Sequence, residues 1–277
     1  MESETFSDVI QSRPDLRFPF PESFVARIKG AVLTHIRRRA KYICAYLSTG
    51  EVLIMHLGMS GRFTIEPPTG AAQKPGDYVH STDTIPAHDH VIFRMSSGAV
   101  VTYNDPRRFG FMDLVPEGEL DSCKHFAGMG VEPLGNALNS DYLAGRAHRR
   151  TTDLKAFLLD QRNIAGLGNI YVCEALYRAG LSPKLKAACL ALASGKPTDR
   201  NHRLVPIIRD VLNEAIAAGG STLRDYAAAD GALGYFQHAF RVYGREDEAC
   251  LTPGCNSKVR RIVQAGRSTF YCSACQR

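Results

Sequence analysis

Short apolar runs joined by glycine-containing turns dominate the first half of the chain. Residues 40–66 contain two such runs around the turn sequence STGE, and residues 90–115 repeat the arrangement around SSG. Paired apolar runs with tight turns are typical of antiparallel β-hairpins. We therefore predict a β-sandwich or barrel, with a helical turn in 25–33 that leads into a strand. The stretch 67–86 is rich in Pro, Gly, Ser and Thr, which favours an exposed loop.

The second half changes to the three-to-four-residue spacing of amphipathic helices. In the segment 169–183, Asn169 is the expected N-cap and Gly180 the expected helix end. In the segment 138–150, Asn139 or Ser140 is the expected N-cap. The predicted helices lie within residues 138–150, 154–161, 169–183 and 204–220.

The last 28 residues contain four cysteines and five basic residues, and no acidic residue. Cys250 and Cys255 are separated by four residues, Cys272 and Cys275 by two, and sixteen residues lie between the pairs. Two such pairs can supply four thiolates to one tetrahedral Zn²⁺. The intervening residues resemble a β-hairpin that turns at QAGR.

The alternative use of these cysteines is two disulfides. We expect no secretory signal, and the other four cysteines are scattered through apolar segments. A reduced, cytoplasmic compartment is therefore favoured. A segment this short also has too little core to fold without a metal, so the zinc would be structural.

Composition and charge narrow the class of partner. A chain of 277 residues can form two or three compact units, and it has no apolar run long enough to cross a membrane. The net charge is +6, and basic residues cluster at 37–41, at 146–150 and in the C-terminal hairpin. Clusters of this kind favour a nucleic acid as the partner.

Three motifs carry candidate chemistry, each with a plainer alternative. The sequence GLG lies between two predicted helices, whereas a dinucleotide-binding site needs a strand before the glycines, so that interpretation is rejected. The glycines either form a phosphate-binding site at the N-terminus of the second helix or make a tight turn without a ligand. In DPRRFG the arginines can bind phosphates and the phenylalanine can enter a base stack, or all three can be ordinary surface. In HLGMSG, Gly58 and Gly61 predict a bend, and Met59 is either exposed at this bend or buried in the core.

Six segments occur together in one order: RRAKY, HLGMSG, DPRRFG, AGLGNIY, DGALGYF and GRSTFYCSACQ. In this order the chain resembles the formamidopyrimidine-DNA glycosylase family from about residue 9 to residue 277. The resemblance implies a base-excision repair enzyme that removes 8-oxoguanine and formamidopyrimidines from double-stranded DNA. It also implies abasic-site lyase activity by β,δ-elimination, a monomer and one structural Zn²⁺.

The fold implied by the pattern and the resemblance is α+β and multidomain. We predict an N-terminal β-sandwich at 1–132, a helix-two-turn-helix domain at 133–242 and a zinc-finger β-hairpin at 243–277. The lesion loop of relatives, SDGKPGYF, appears here as ADGALGYF at 229–236.

The resemblance also implies roles for individual residues. Lys41 corresponds to a proton donor in β-elimination, and Arg267 to a phosphate contact that assists δ-elimination. Met59, Arg107 and Phe109 correspond to the trio that fills the gap left by an extruded base. The predicted phosphate contacts are His88, Arg108, Lys155 and Asn169.

Two departures from the family pattern affect these expectations. Thr151 stands where a lysine is common, and the adjacent Arg150 is the expected DNA-binding replacement. The family's mature chain begins Pro-Glu, and its proline amine attacks the sugar, whereas this chain begins Met-Glu-Ser-Glu. From the register of the first strand we expect a native start upstream.

These departures leave two alternative functions. One is a protein that binds lesion DNA without cutting it, because the proline nucleophile is absent. The other is an endonuclease VIII-like enzyme for oxidised pyrimidines, which HLGMSG and the sequence of the lesion loop disfavour.

Overall fold

A computed structural model describes residues 1–68, 85–221 and 234–277. The chain divides into two compact units, residues 1–127 with 219–235 and residues 128–218 with 236–277. The boundaries predicted at residues 132 and 242 stay predictions. Most of the predicted loop at 67–86 and of the predicted lesion loop lies outside the described residues.

The described strands fall into a large sheet and a C-terminal hairpin. In chain order they are β1 (Glu4–Gln11), β2 (Val32–Arg39), β3 (Tyr42–Leu47), β4 (Glu51–His56), β5 (Arg62–Glu66), β6 (Asp89–Met95), β7 (Val100–Asn104), β8 (Phe111–Pro116), β9 (Val259–Gln264) and β10 (Arg267–Cys272). The helices are α1 (Phe24–Ile28), α2 (Ser140–Ala147), α3 (Leu154–Leu159), α4 (Asn169–Arg178) and α5 (Asp199–Ala217).

The large sheet is antiparallel and has the strand order β5-β7-β6-β1-β2-β3-β4-β8. Strand β1 joins the two halves of this sheet, β5-β7-β6 on one side and β2-β3-β4-β8 on the other. Its residues Glu4 and Thr5 pair with β2, whereas Phe6 to Gln11 pair with β6. Apolar side chains from both halves share one buried cluster, which includes Phe93 of β6 and Leu53 of β4. This burial of two apolar faces against each other gives the predicted β-sandwich.

The hairpins predicted from the turn sequences are confirmed. Strands β3 and β4 are joined through Gly50, and β6 and β7 through Gly98, with φ angles of +79° and +92°. Only glycine adopts such angles without a steric penalty, which is why the two turns carry it. The helical turn predicted within 25–33 is α1, and β2 follows it.

The helices of the second unit also follow the sequence pattern. Asn139 caps α2, since its side chain accepts a hydrogen bond from the Tyr142 amide at 2.8 Å. Helix α4 ends as predicted at Gly180, which has a φ of +67°. Helix α5 begins at Asp199, five residues before the predicted segment, and buried Asn201 in its first turn donates hydrogen bonds to the Leu190 and Ser140 carbonyls.

The predicted N-cap of α4 is wrong. Gly168 occupies the N-cap position, and Asn169 is the first helical residue. The Asn169 side-chain amide instead donates a hydrogen bond to the Ser268 carbonyl at 2.9 Å. An asparagine that precedes an apolar helix has the signature of a cap, but here a partner almost 100 residues away along the chain takes its side chain.

The C-terminal hairpin, β9 and β10, packs against α4 within the second unit. Cys173 and Tyr177 of the helix share a buried cluster with Val259 and Phe270 of the hairpin. Among the described residues, no helix is both long enough and apolar enough to span a bilayer.

Candidate nucleic-acid interface and metal site

The four-cysteine cluster consists of Cys250, Cys255, Cys272 and Cys275, whose sulfur atoms all lie within 4.8 Å of one another. The Cys250 and Cys275 sulfurs are 3.8 Å apart, and those of Cys255 and Cys272 are 3.7 Å apart. A disulfide needs about 2.05 Å. Sulfurs at the corners of a tetrahedron with 2.3 Å metal bonds lie about 3.8 Å apart. The four thiols therefore fit a tetrahedral metal ion.

Groups around the four-cysteine cluster hold it in place. The Tyr177 hydroxyl lies 3.4 Å from the Cys250 sulfur and 2.7 Å from the Thr252 hydroxyl. Burial opposes ionisation of Cys250, but hydrogen bonds from Tyr177 and Thr252 outweigh it and lower its pKa to about 6. Gln276 accepts a hydrogen bond from the Cys272 amide at 2.8 Å and donates to the Leu181 carbonyl.

Arg267 is displayed next to the turn of the C-terminal hairpin. Ala265 and Gly266 form a two-residue turn with φ angles of +47° and +69°, and Gln264 pairs with Arg267 across it. The QAGR turn is therefore confirmed, and Arg267 is exposed. A two-residue turn with two positive φ angles matches the twist of the strands that it joins, so it fixes the pairing of Arg267 with Gln264.

Lys155 of α3 is completely buried, although phosphate contacts are made at a surface. Its ammonium donates hydrogen bonds to the Thr269 hydroxyl at 2.6 Å and to the Ser268 carbonyl at 3.1 Å. Burial lowers the pKa of Lys155, and the nearby Arg267 adds to the effect. The phosphate contact stays a prediction, but in this structure the ammonium binds β10.

Asn169, like Lys155, binds the start of β10 beside Arg267. Asn169 and Lys155 donate to the same carbonyl, that of Ser268, immediately after Arg267. The Asn169 side-chain oxygen is buried and has no hydrogen-bond partner among the described residues. Helices α3 and α4 thus fix the strand that carries Arg267.

Lys41 is exposed in the two-residue turn between β2 and β3. Close by, the Phe111 ring stacks on His56 at 5.5 Å and on His125 at 4.9 Å. Burial, and then the positive charge of Lys41, lower the pKa of His56. The Gly58 amide donates to His56 Nδ1 at 3.0 Å, an arrangement that requires this nitrogen to be unprotonated.

Met59 and Phe109 lie on two loops that are in contact. We call residues 57–61 the Met59 loop and residues 105–110 the Phe109 loop. The Met59 and Phe109 side chains are 62% and 43% exposed. A Cβ atom on Gly58 would lie 2.5 Å from the Phe109 carbonyl carbon, so only glycine permits this approach.

Three further predicted residues lie on or beside the Phe109 loop. The Arg107 guanidinium lies 4.8 Å from the centre of the Phe109 ring. Arg108 is exposed and has a φ of +55°, and its amide donates to the Asp105 carbonyl at 3.2 Å. The His88 carbonyl accepts a hydrogen bond from the Asp105 amide at 3.1 Å.

The remaining predicted residue, Arg150, is exposed just after α2. Its carbonyl accepts a hydrogen bond from the Ala188 amide at 3.1 Å. The first unit therefore carries the two loops, His88 and Lys41, whereas the second carries Arg150, the start of β10 and the four-cysteine cluster.

Sequence reasoning missed a group of buried polar side chains that connects the two loops. Asp105 is fully buried, as is the Tyr103 side chain that binds it, and Ser60 is 3% exposed. A signal was present, because the polar residues Asn104 and Asp105 follow an apolar run and stand just before Pro106 and the arginine pair. Their partners lie on another loop, which the local pattern does not reveal.

Comparisons with known proteins agree with this arrangement. The family described as "Formamidopyrimidine-DNA glycosylase N-terminal domain" matches residues 1–112, and "Formamidopyrimidine-DNA glycosylase H2TH domain" matches residues 129–227. A formamidopyrimidine-DNA glycosylase of Methylobacterium nodulans is 60% identical over 272 residues, which are 98% of this chain and 92% of that protein. One from Rhodopseudomonas palustris is 56% identical over 276 residues, or 100% of this chain and 94% of that protein.

Solved structures show the same fold. The MutM (Fpg) protein of Thermus thermophilus is 34% identical with a TM-score of 0.80, covering 100% of this chain and 92% of that one. The Lactococcus lactis Fpg, in a complex with DNA that contains an abasic site, is 27% identical with a TM-score of 0.81. That match covers 100% of this chain and 94% of the Lactococcus chain.

Proposed function

The chain belongs to the formamidopyrimidine-DNA glycosylase family, and from that premise we propose that it removes oxidised purines from double-stranded DNA. Membership makes it a DNA glycosylase of base-excision repair, with the abasic-site lyase activity of the family. The observation that carries the substrate proposal is the pair of exposed apolar side chains, Met59 and Phe109, with Arg107 beside them.

Exposed apolar side chains are suited to replacing a base that has left the stack. Burying a Met or Phe side chain contributes about 1.5–3 kcal/mol. Extruding a base costs a few kcal/mol, so two such side chains offset most of that cost. In our proposal Met59 and Phe109 enter the gap, and Arg107 faces the base left without its partner.

Phosphate contacts supply the remaining affinity. We assign them to exposed Arg108, Arg150 and Arg267, together with His88 and Asn169. Arginine forms bidentate, charge-assisted hydrogen bonds with phosphate, which makes these contacts strong and dependent on salt. Lys155 supports the same contacts by holding β10, and the salt dependence of a Lys155→Met variant separates this role from a direct phosphate contact.

The reaction breaks several bonds of the damaged nucleotide in turn. An amine of the protein attacks C1′, the glycosidic bond breaks, and the base leaves with a proton. The C1′–O4′ bond of the sugar then opens, O4′ takes up a proton, and C1′ and the amine nitrogen form a protonated imine. Loss of the hydrogen at C2′ then expels the 3′ phosphate, and a second elimination expels the 5′ phosphate. We assign the proton transfer of the first elimination to Lys41 and assistance of the second to Arg267.

The four-cysteine cluster holds one structural Zn²⁺ in this proposal. Four thiolates in a closed tetrahedron leave no position for water or substrate, so the ion stabilises the hairpin and takes no part in bond breaking. The chain acts as a monomer.

The test is incision of a duplex that contains one 8-oxoguanine opposite cytosine, with borohydride present to trap a covalent imine. We expect cleavage on both sides of the lesion and a trapped complex. Peptide mapping of that complex identifies the attacking amine. An intact duplex is the control, and a duplex with an oxidised thymine tests the pyrimidine alternative. Tight binding of 8-oxoguanine DNA without incision or trapping would overturn the enzymatic proposal.

A further inference from the structure

Asp105 is a fully buried carboxylate at the start of the Phe109 loop. Its Oδ1 accepts a hydrogen bond from the Ser60 hydroxyl at 2.6 Å. Its Oδ2 accepts from the Gly110 amide at 2.8 Å and from the Tyr103 hydroxyl at 3.1 Å. Burial of a carboxylate is costly unless its oxygens are hydrogen-bonded, so these three donors stabilise it in place.

Two of these donors are direct neighbours of the exposed apolar side chains. Ser60 follows Met59, and Gly110 follows Phe109. The Ser60 hydroxyl oxygen also accepts a hydrogen bond from the Arg107 amide at 3.3 Å. One carboxylate therefore connects the Met59 loop to both ends of the Phe109 loop.

The Asp105 backbone also binds residues on and beside the Phe109 loop. Its amide donates to the His88 carbonyl, and its carbonyl accepts from the Arg108 amide at 3.2 Å. The same carbonyl accepts a hydrogen bond from His90 Nε2 at 2.9 Å. Because His90 is buried, this contact is shielded from water.

Hydrogen bonds to a buried charge are stronger than those between neutral groups, and their loss leaves unpaired donors. A pair of loops held in this way does not have to be ordered when DNA binds. Preorganisation of a binding surface raises affinity chiefly by removing that ordering cost. Gly58 contributes differently, because its lack of a side chain permits the close approach of the two loops.

We propose that Asp105 is a positioning residue that holds the Met59 loop and the Phe109 loop as one preformed wedge. The two apolar side chains then enter a gap in the DNA together. This inference rests on the proposed function, because the wedge has a use only where a base has left the stack.

The test compares binding of the 277-residue chain to two duplexes of the same sequence, one intact and one with a tetrahydrofuran abasic-site analogue. Fluorescence anisotropy gives the ratio of the two dissociation constants. Asp105→Ala should lower the preference for the abasic duplex about tenfold or more, since it removes charge-assisted hydrogen bonds from both loops. Affinity for the intact duplex should fall much less than affinity for the abasic duplex, because the phosphate contacts assigned to Arg150, Arg267 and Asn169 lie outside the two loops.

Two further variants make the result specific. Ser60→Ala removes only the connection to the Met59 loop and should lower the preference by roughly threefold to tenfold. Asp105→Asn keeps neutral hydrogen bonds and should partly restore the preference. Asp113→Ala is the matched control, because this β8 carboxylate binds His125 and Lys124 instead of either loop.

The outcomes separate the inference from the function on which it rests. A wild-type chain without preference for the abasic duplex overturns the proposed function and this inference with it. A wild-type chain with a preference that Asp105→Ala and Ser60→Ala both retain overturns the inference alone. If Asp105→Ala does not fold in a urea titration, the Ser60→Ala ratio decides the question.

Discussion

Glu174 of α4 holds the segment that leads into the C-terminal hairpin. It is fully buried, and its Oε1 accepts hydrogen bonds from the Val242 and Tyr243 amides at 3.0 and 2.9 Å. Its Oε2 accepts from the Arg241 amide at 2.9 Å. Three consecutive backbone amides thus depend on one side chain, and without it the amide of fully buried Val242 would be a buried donor lacking an acceptor.

We predict that Glu174→Gln destabilises the second unit. The amide provides one oxygen where the carboxylate provides two, so at least the Arg241 amide would face another donor. A hydrogen bond to a charged group contributes about 1.5–3 kcal/mol, and the other two bonds weaken as well. The free energy of unfolding should fall by about 2–4 kcal/mol, which is a large part of the usual 5–15 kcal/mol. The melting temperature should fall by roughly 6–12 °C.

The measurement is urea unfolding followed by circular dichroism, combined with hydrogen exchange at the amides of residues 241–243. Glu214→Gln is the control, because Glu214 makes a surface ion pair with Arg178 on α4 and its side chain is 51% exposed. Pairs of that kind contribute about 0–1 kcal/mol. Equal stabilities of the two variants, with unchanged protection at 241–243, would refute the reasoning.

Three further outcomes are expected. Purified protein should contain one equivalent of zinc on the four-cysteine cluster, and a chelator should lower its stability, whereas less than about half an equivalent would contradict the site. Arg267→Ala should reduce the slope of log affinity against log salt by about 0.9, and an unchanged slope would show that this arginine does not face DNA. The pKa of His56 is lowered in the folded chain by burial and by Lys41, so the unfolded chain binds the proton first. Stability should therefore fall as the pH drops below about 6.5, and a His56→Gln variant should lack that part of the pH dependence in urea titrations.

Local patterns were sufficient for much of the fold. The hairpins around Gly50 and Gly98, the QAGR turn and the helix end at Gly180 all depend on residues adjacent in sequence. Backbone geometry at such turns is dictated by one or two positions, and the sequence displays those positions directly. The spacing of the four cysteines works in the same way, because the metal needs only the ligands and a turn between them.

The errors and omissions come from contacts between distant parts of the chain. Asn169 was expected as a cap, but its side chain binds the Ser268 carbonyl. Burial of Lys155 and of Asp105 was not foreseen, since a lone charged residue in a sequence is more often exposed. Each is buried because a partner on another element supplies its hydrogen bonds, and pairing at that distance leaves no periodic signal.

Strand β1 joins both halves of the sheet, but its partners leave the ribosome at very different times. Leu33 can pair with Glu4 early, whereas the partner of Phe6 is Met95, about 90 residues later. Closing so long a loop is slow, and an unpaired strand edge is open to association with other chains until it is closed. Pulsed hydrogen exchange during refolding should therefore show late protection at the β1 amides from Asp8 to Gln11, and early protection there would contradict this order. A nascent chain that stalls before Met95 would expose that edge, so the risk of aggregation through β1 lasts until residues 89–95 have been translated.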